Sequence, residues 1–244
     1  MAKLSRRWVL ARRPRGLPEP DDFRLETAEV PEPGQGQMLV RNVYIPVDPG
    51  MRNILSSEDP GPREFTPQPL GATVGYLTVG QVEQSRLPGF AEGDWVTDYL
   101  LWQDYALSDG RTACKITDLR LSPGRYRRPV RQCRRRGAGW AAAADGPSRA
   151  GGDLRPDRRV RRSAAERRGL KNISQFVPRR LTMRGLFVHD FEDRFDAALA
   201  ELTDWMLAGN LRHREEIEQG FERLPAAFAG LFRGETFGRR LVKV

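Results

Sequence analysis

Apolar and polar positions alternate near the start of the chain. Val43, Ile45 and Val47 stand against Asn42, Tyr44 and Pro46. That period of two predicts a strand from Met38 to Val47, opened by the turn Gly34-Gln-Gly36 and set at an edge or a strand end by Pro46. Val74, Tyr76, Thr78, Gly80 and Val82 form a second alternating set, opposite Gly75, Leu77, Val79 and Gln81. Glycines at alternate strand positions permit close backbone approach or a sharp coil. Pro88-Gly89-Phe90 and Glu92-Gly93-Asp94 are turns flanking Trp95-Val96, and Leu101 to Leu107 reads as a further short strand. Short strands with such regular punctuation predict a small barrel or sandwich over residues 1–118.

The pattern then breaks. Residues 119–168 are dominated by Arg, Ala, Gly and Pro with no usable period, apart from one helical turn's worth at Ala138 to Asp145. Such a stretch buries too little apolar surface to offset its ordering entropy, so disorder is the expectation. Periodicity returns in residues 169–244. Leu181 to Val188 is a strand candidate. Arg194 to Leu207 fits a helix with Phe195, Ala198, Leu199, Leu202, Trp205 and Met206 on one face. The acids of Asp190-Phe-Glu-Asp193 suit its N-terminus, and Gly209-Asn210 ends it. A second helix spans about Leu224 to Phe232, with Gly234 as its cap, and Arg240 to Val244 is a final strand. Two helices and two strands form a poor core alone, so this segment is expected to pack on the first domain.

Charge changes the picture once it is divided. The chain carries +9, but residues 120–168 hold 16 Arg and only four acids, Asp145, Asp153, Asp157 and Glu166, a balance of +12. The remainder is therefore mildly acidic, at −3. A basic protein throughout, built to bind nucleic acid, is excluded; accidental polyanion binding by the Arg-rich stretch is the residual reading. No apolar run reaches the length of a membrane helix, and the first residues lack a secretory pattern. Two cysteines, Cys114 and Cys133, suit a reducing cytoplasm and exclude both a disulfide framework and a Cys-based zinc site. Cys114 reads as a packed thiol. His189 and His213 stand isolated, without ligand spacing, so no metal site is expected.

Residues 7–110 resemble the N-terminal, GroES-like barrel of the zinc-independent medium-chain dehydrogenase/reductases. The branch is that of the NADP-dependent alkenal/one oxidoreductases, which include prostaglandin and curcumin reductases. The stretches that carry the resemblance are Val30-Pro-Glu-Pro-Gly34, Val47-Asp-Pro-Gly-Met-Arg52, Gly75 to Val82, Pro88-Gly-Phe-Ala-Glu-Gly-Asp94 and Trp102-Gln-Asp-Tyr-Ala106. The last third resembles the family's C-terminus: Pro178-Arg-Arg-Leu-Thr-Met-Arg-Gly185, Glu215-Glu-Ile-Glu-Gln-Gly220, Gly234-Glu-Thr-Phe-Gly238 and Leu241-Val-Lys-Val244. The resemblance implies a mixed α/β fold, a GroES-like β-barrel plus a remnant of a Rossmann-type α/β domain. It implies NADP(H) as cofactor, a small-molecule enone or enal as substrate, hydride transfer to its β-carbon, and donors for the developing enolate oxygen. It allows a homo-oligomer and implies neither a membrane nor a specific nucleic acid as partner.

Carried over residue by residue, little of the family's site remains. The family's Asp-Pro-Tyr-Met-Arg reads Asp48-Pro-Gly50-Met-Arg52, without its Tyr. Arg52 matches and is a candidate to face the cofactor, or else a structural ion pair at the barrel rim. The family's Gly-Glu-Asn, whose Asn reaches toward the nicotinamide, reads Gly234-Glu-Thr236, so Thr236 is the second cofactor candidate. No catalytic side chain is assigned.

The cofactor domain that should separate the two recognisable ends has too little chain between them. Gly137-Ala-Gly139 and Gly151-Gly152 lack the strand before and the helix after that a phosphate-binding turn needs. Read one nucleotide later, codons for Val130 to Arg135 can give Phe-Asp-Asn-Val-Gly-Gly, which resembles the family's turn at the end of a cofactor-domain strand. In the same frame Tyr126 to Pro129 can give Ile-Asp-Val-Leu, Ala150 to Asp157 can give Arg-Val-Val-Ile-Cys-Gly-Leu-Ile, and the codon of Val160 can give the family's active-site tyrosine. The reading is that half of the cofactor domain is deleted and part of the rest is translated out of frame until about Arg168.

Overall fold

The computed structural model describes residues 3–55, 67–116, 173–185, 188–212 and 214–244. The disorder expected for 119–168 and the helical turn near Ala138 lie outside these. Strands β1 (Leu4–Leu10) and β2 (Phe23–Glu29) form an antiparallel ribbon. A second sheet holds β3 (Met38–Pro46), β4 (Thr78–Ser85), β5 (Trp95–Asp98), β6 (Tyr105–Ser108) and β7 (Cys114–Lys115). It is continued by two strands from the other end of the chain, β8 (Glu215–Gln219) and β9 (Arg239–Lys243). Their order is β7-β5-β4-β3-β9-β8, with β6 also pairing β3. The helices are α1 (Met51–Leu55), α2 (Phe195–Leu207) and α3 (Leu224–Arg233). The class is mixed α/β, as the resemblance implies.

The core joins both ends of the chain. Trp102 is wholly buried, with its ring 5.5 Å from Phe23 and 5.8 Å from Phe228 of α3. Phe228 in turn meets Phe232 edge-on at 5.1 Å. Edge-to-face contacts of this kind add to the area these rings bury. Strand β9 registers Tyr44 against Lys243 and Pro46 against Leu241, so the C-terminus completes the sheet of the N-terminal barrel. The predicted helix over Leu224–Phe232 forms, and Gly234 ends it in the left-handed conformation (φ 77°).

Close approach explains the alternate glycines. A Cβ on Gly75 (φ +127°) would stand 2.5 Å from the Trp102 backbone nitrogen, and one on Gly80 would meet Val40 at 2.6 Å. Asn42, buried on β3, donates from Nδ2 to the carbonyls of Leu101 (3.1 Å) and Gln103 (2.6 Å), and accepts from Thr78 Oγ1. These bonds over-determine the segment in which Leu101 takes a positive φ of 61°.

Several expectations are corrected. Strand β4 starts at Thr78, not Val74, because Val74 instead donates to Trp8 and accepts from Trp102 on a different path. The strand expected over Leu101–Leu107 is instead Tyr105–Ser108, since Asn42 captures the carbonyls of Leu101 and Gln103 before it. Residues 181–185 are irregular and Val188 opens a 3-10 turn, so the strand expected over Leu181–Val188 is absent where described; Leu181 and Met183 lie 50% and 47% exposed. The second C-terminal strand is β8, a polar run parallel to β9. Charged residues are what a sheet edge carries. Cys114 is buried as expected but is not a free thiol.

Candidate functional site

The family motif at 47–52 and the C-terminal motif at 234–238 flank one part of the sheet. The Val47 N–H donates to the carbonyl of Arg240, and Asp48 Oδ2 accepts from Arg239 Nη1 at 2.9 Å. Asp48 Oδ1 also accepts from the Gly50 N–H at 2.8 Å, which turns the chain into α1. Asp48 therefore ties the turn to β9. The sequence singled out Asp48 as a motif match but gave no signal for Arg239.

Arg52, on α1, donates from Nε (3.1 Å) and Nη2 (2.7 Å) to the carbonyl of Gly16. Its described contacts fasten the loop at 11–17. Arg13 does related work from that loop, donating to the carbonyls of Leu55 and Gln68. Thr236 sits on the loop before β9, with its Oγ1 buried and without a hydrogen-bond partner. Beside it the Phe237 ring is 69% exposed, under the Arg214 guanidinium at 4.9 Å, and the Phe237 N–H donates to Glu216 Oε1. The Glu235 carboxyl is held below its ordinary pKa by the hydrogen bond from Arg233, with desolvation opposing and Arg240 assisting. Arg52 and Thr236 thus both lie near the 47–52 turn and β9, but no bond joins them among the described residues. The side chains of His189 and His213 lie outside the described residues.

NADP(H) was tested against the described residues at both of its ends. At the nicotinamide end the described residues offer one orphaned polar atom, the buried Thr236 hydroxyl. The pyrophosphate needs a strand, a glycine turn and a helix N-terminus. Among the described residues the parallel pair β8–β9, joined through α3, is the unit of this kind. Its turn offers Gly220 alone, followed by Phe221, which is buried, and the carboxylate of Glu222. A phosphate would meet a carboxylate and a filled core there, so this unit does not fit the group.

Comparison with known proteins places the barrel. Residues 6–116 match the family model described as the N-terminal domain of oxidoreductase. NADPH-dependent curcumin reductase of Escherichia coli is 44% identical over 119 residues, covering 49% of this chain and 34% of that protein. The chain thus spans about a third of the length of that relative. Rat prostaglandin reductase 1 is 35% identical over 68 residues, covering 28% of this chain and 21% of its own length. The Bacillus subtilis protein YfmJ is 25% identical over an alignment of 333 positions that covers 96% of each chain. Among solved structures, CurA of Vibrio vulnificus in complex with NADPH superposes with a TM-score of 0.76 at 24% identity, covering 98% of this chain and 99% of its own, and shares the fold. The barrel over residues 6–116 thus matches the N-terminal domain of oxidoreductase. Over these stretches the chain is similar to NADPH-dependent curcumin reductase and to prostaglandin reductase 1.

Proposed function

We propose that this chain derives from an NADP-dependent oxidoreductase that reduces the C=C bond of α,β-unsaturated ketones and aldehydes, and that it is impaired or inactive as it stands. The observation that carries the second half is that no phosphate cradle is found among the described residues. The sequence holds no strand–Gly-x-Gly-x-x-Gly–helix, and the β8–α3–β9 unit opens on Phe221 and Glu222. The alignment with YfmJ supports an internal deletion, because 333 aligned positions face a chain of 244 residues. Gly50 in place of the family's Tyr removes a further side chain near the substrate mouth.

In this reading Thr236 is the surviving contact for the nicotinamide end, on the strength of its buried, unpartnered hydroxyl. Arg52 is a weaker second, since it already serves the Gly16 carbonyl. The test is NADPH oxidation by the purified chain with an aromatic enone, beside an intact relative. No enone-dependent rate above the blank is expected; turnover comparable to the relative's would overturn the reading. Sequencing the gene tests the frame shift separately, because codons that cannot yield the shifted residues exclude it.

A second reading, a non-catalytic product that binds polyanions through residues 120–168, rests on the +12 balance of that stretch. Affinity for unrelated nucleic acids that falls steeply with salt would support it.

A further inference from the structure

Several chain segments meet at one end of the large sheet. Strand β3 runs antiparallel to both β4 and β9, with Tyr44 opposite Val79 and Pro46 opposite Leu241. Strand β5 runs antiparallel to β4, with Asp98 opposite Thr78. The end of β3, the start of β4, the end of β5 and the start of β9 therefore lie side by side. Close beyond those ends come the 47–52 turn, Gly75-Tyr76-Leu77, Tyr99 and Thr236. Both cofactor candidates, Arg52 and Thr236, are in that set. So are two tyrosines to which the family motifs give no role.

Tyr76 and Tyr99 meet edge-to-face, with ring centroids 4.9 Å apart and an interplanar angle of 82°, and each is 37% exposed. Exposure alone marks nothing, since Leu4 and Leu70 are more exposed. The position does, and so does the backbone beneath the pair. A Cβ at Gly75 would stand 2.5 Å from the Trp102 nitrogen. The Leu101 N–H donates to the Tyr76 carbonyl, and the Trp102 N–H to that of Val74. Asn42 holds the carbonyls of Leu101 and Gln103, and Leu101 keeps a positive φ of 61°. Strain of that kind persists where the surroundings over-determine it, and it gathers at ligand clamps.

We infer that Tyr76 and Tyr99 form the aromatic wall of the ligand mouth and select ligands that carry a planar ring. That the mouth is one for enones rests on the proposed reductase reading. Strand β3 lies between β4 and β9, and neighbouring strands are about 4.8 Å apart. Tyr76 thus stands roughly 10 Å to the side of Thr236. One small aryl enone can span that gap, with its reacting carbons toward Thr236 and its ring on Tyr76. The ring is held by the edge-to-face or offset contact that the two tyrosines already make with each other. An alkyl chain of equal carbon number gains only burial there.

The test is ligand binding to the full chain without coenzyme, followed by NMR of the tyrosine ring protons. Benzylideneacetone is expected to bind roughly fivefold more tightly than an unbranched aliphatic enone with the same number of carbons. It should also shift the ring signals of Tyr76 and Tyr99. Tyr76→Leu should abolish the preference and Tyr76→Phe should keep it, which separates loss of the ring from loss of the fold. Benzylacetone, the saturated analogue, should bind as benzylideneacetone does, because the wall reads the ring and not the double bond. Equal affinity for the aryl and aliphatic enones, a preference that survives Tyr76→Leu, or no binding of any of the three would each overturn the inference. The reductase reading fails on a different readout, NADPH turnover, so the two failures are told apart.

Discussion

Helix α3 buries Leu224, Ala227, Phe228 and Phe232 under the barrel, whereas helix α2, with a weaker apolar stripe, leaves Leu202 and Trp205 substantially exposed. In sequence each has a recognisable stripe and a glycine shortly after its end. Part of the difference lies outside both helices. Helix α3 is held between β8 and β9, and β9 is hydrogen-bonded to β3, so the sheet delivers α3 onto Trp102 and Phe23. Helix α2 has no such delivery among the described residues. Amphipathicity specifies a face and not its partner. In the proposed reading the partner of α2 belonged to the cofactor domain.

The sharpest way to break this comparison is to truncate one aromatic residue in each helix. Phe228→Ala removes a wholly buried ring and should cost about 3–5 kcal/mol in urea unfolding. Trp205→Ala should change stability by less than about 0.5 kcal/mol, as expected at an exposed position. Equal losses would mean that α2 is packed after all. Gly75→Ala comes next, because its Cβ would sit 2.5 Å from the Trp102 nitrogen in a backbone conformation that L side chains avoid. A loss of roughly 1–3 kcal/mol is expected from that strain. The same measurement on Gly209→Ala separates strain alone from close approach, since its φ is also positive but nothing lies within 4 Å.

Smaller effects test the tie between the two ends of the chain. The Asp48–Arg239 bond is 40% and 27% exposed at its two side chains. Solvent screening limits it, and Arg239→Ala should cost about 0.2–1 kcal/mol by the same unfolding assay. The smallest is a pH effect at Asp94. Burial raises its pKa, but the Ala91 N–H and the Lys115 ammonium outweigh burial and hold it below the ordinary aspartate value. A depressed folded pKa contributes stability above the unfolded pKa and loses it as pH falls through the folded one. Stability should therefore drop more below about pH 4 in the unmodified chain than in Asp94→Asn. Parallel acid profiles would contradict that assignment.

Much of the barrel was legible because the buried Val43, Ile45 and Val47 alternate with the more polar Asn42, Tyr44 and Pro46, which writes a period of two into that stretch. Strand β1 was not, because Arg6 and Arg7 sit side by side and its register comes from β2 and from the backbone of Trp102. Strand β8 was hidden for a similar reason, as a polar edge that exists only through β9. At the candidate site, Arg52 and Thr236 were found by motif, but their surroundings were not. The carbonyl that Arg52 grips is 36 residues away in sequence, and no local pattern reports that a hydroxyl will be buried without a partner.

The account turns on whether the coenzyme has a place to bind. Titrating NADPH into the purified full chain, followed by calorimetry at about 0.15 M salt, measures this directly. We expect no saturable heat beyond weak attraction to the arginines, abolished by raising salt and reproduced by inorganic pyrophosphate. Micromolar, salt-resistant binding of NADPH with one site per chain would contradict the account.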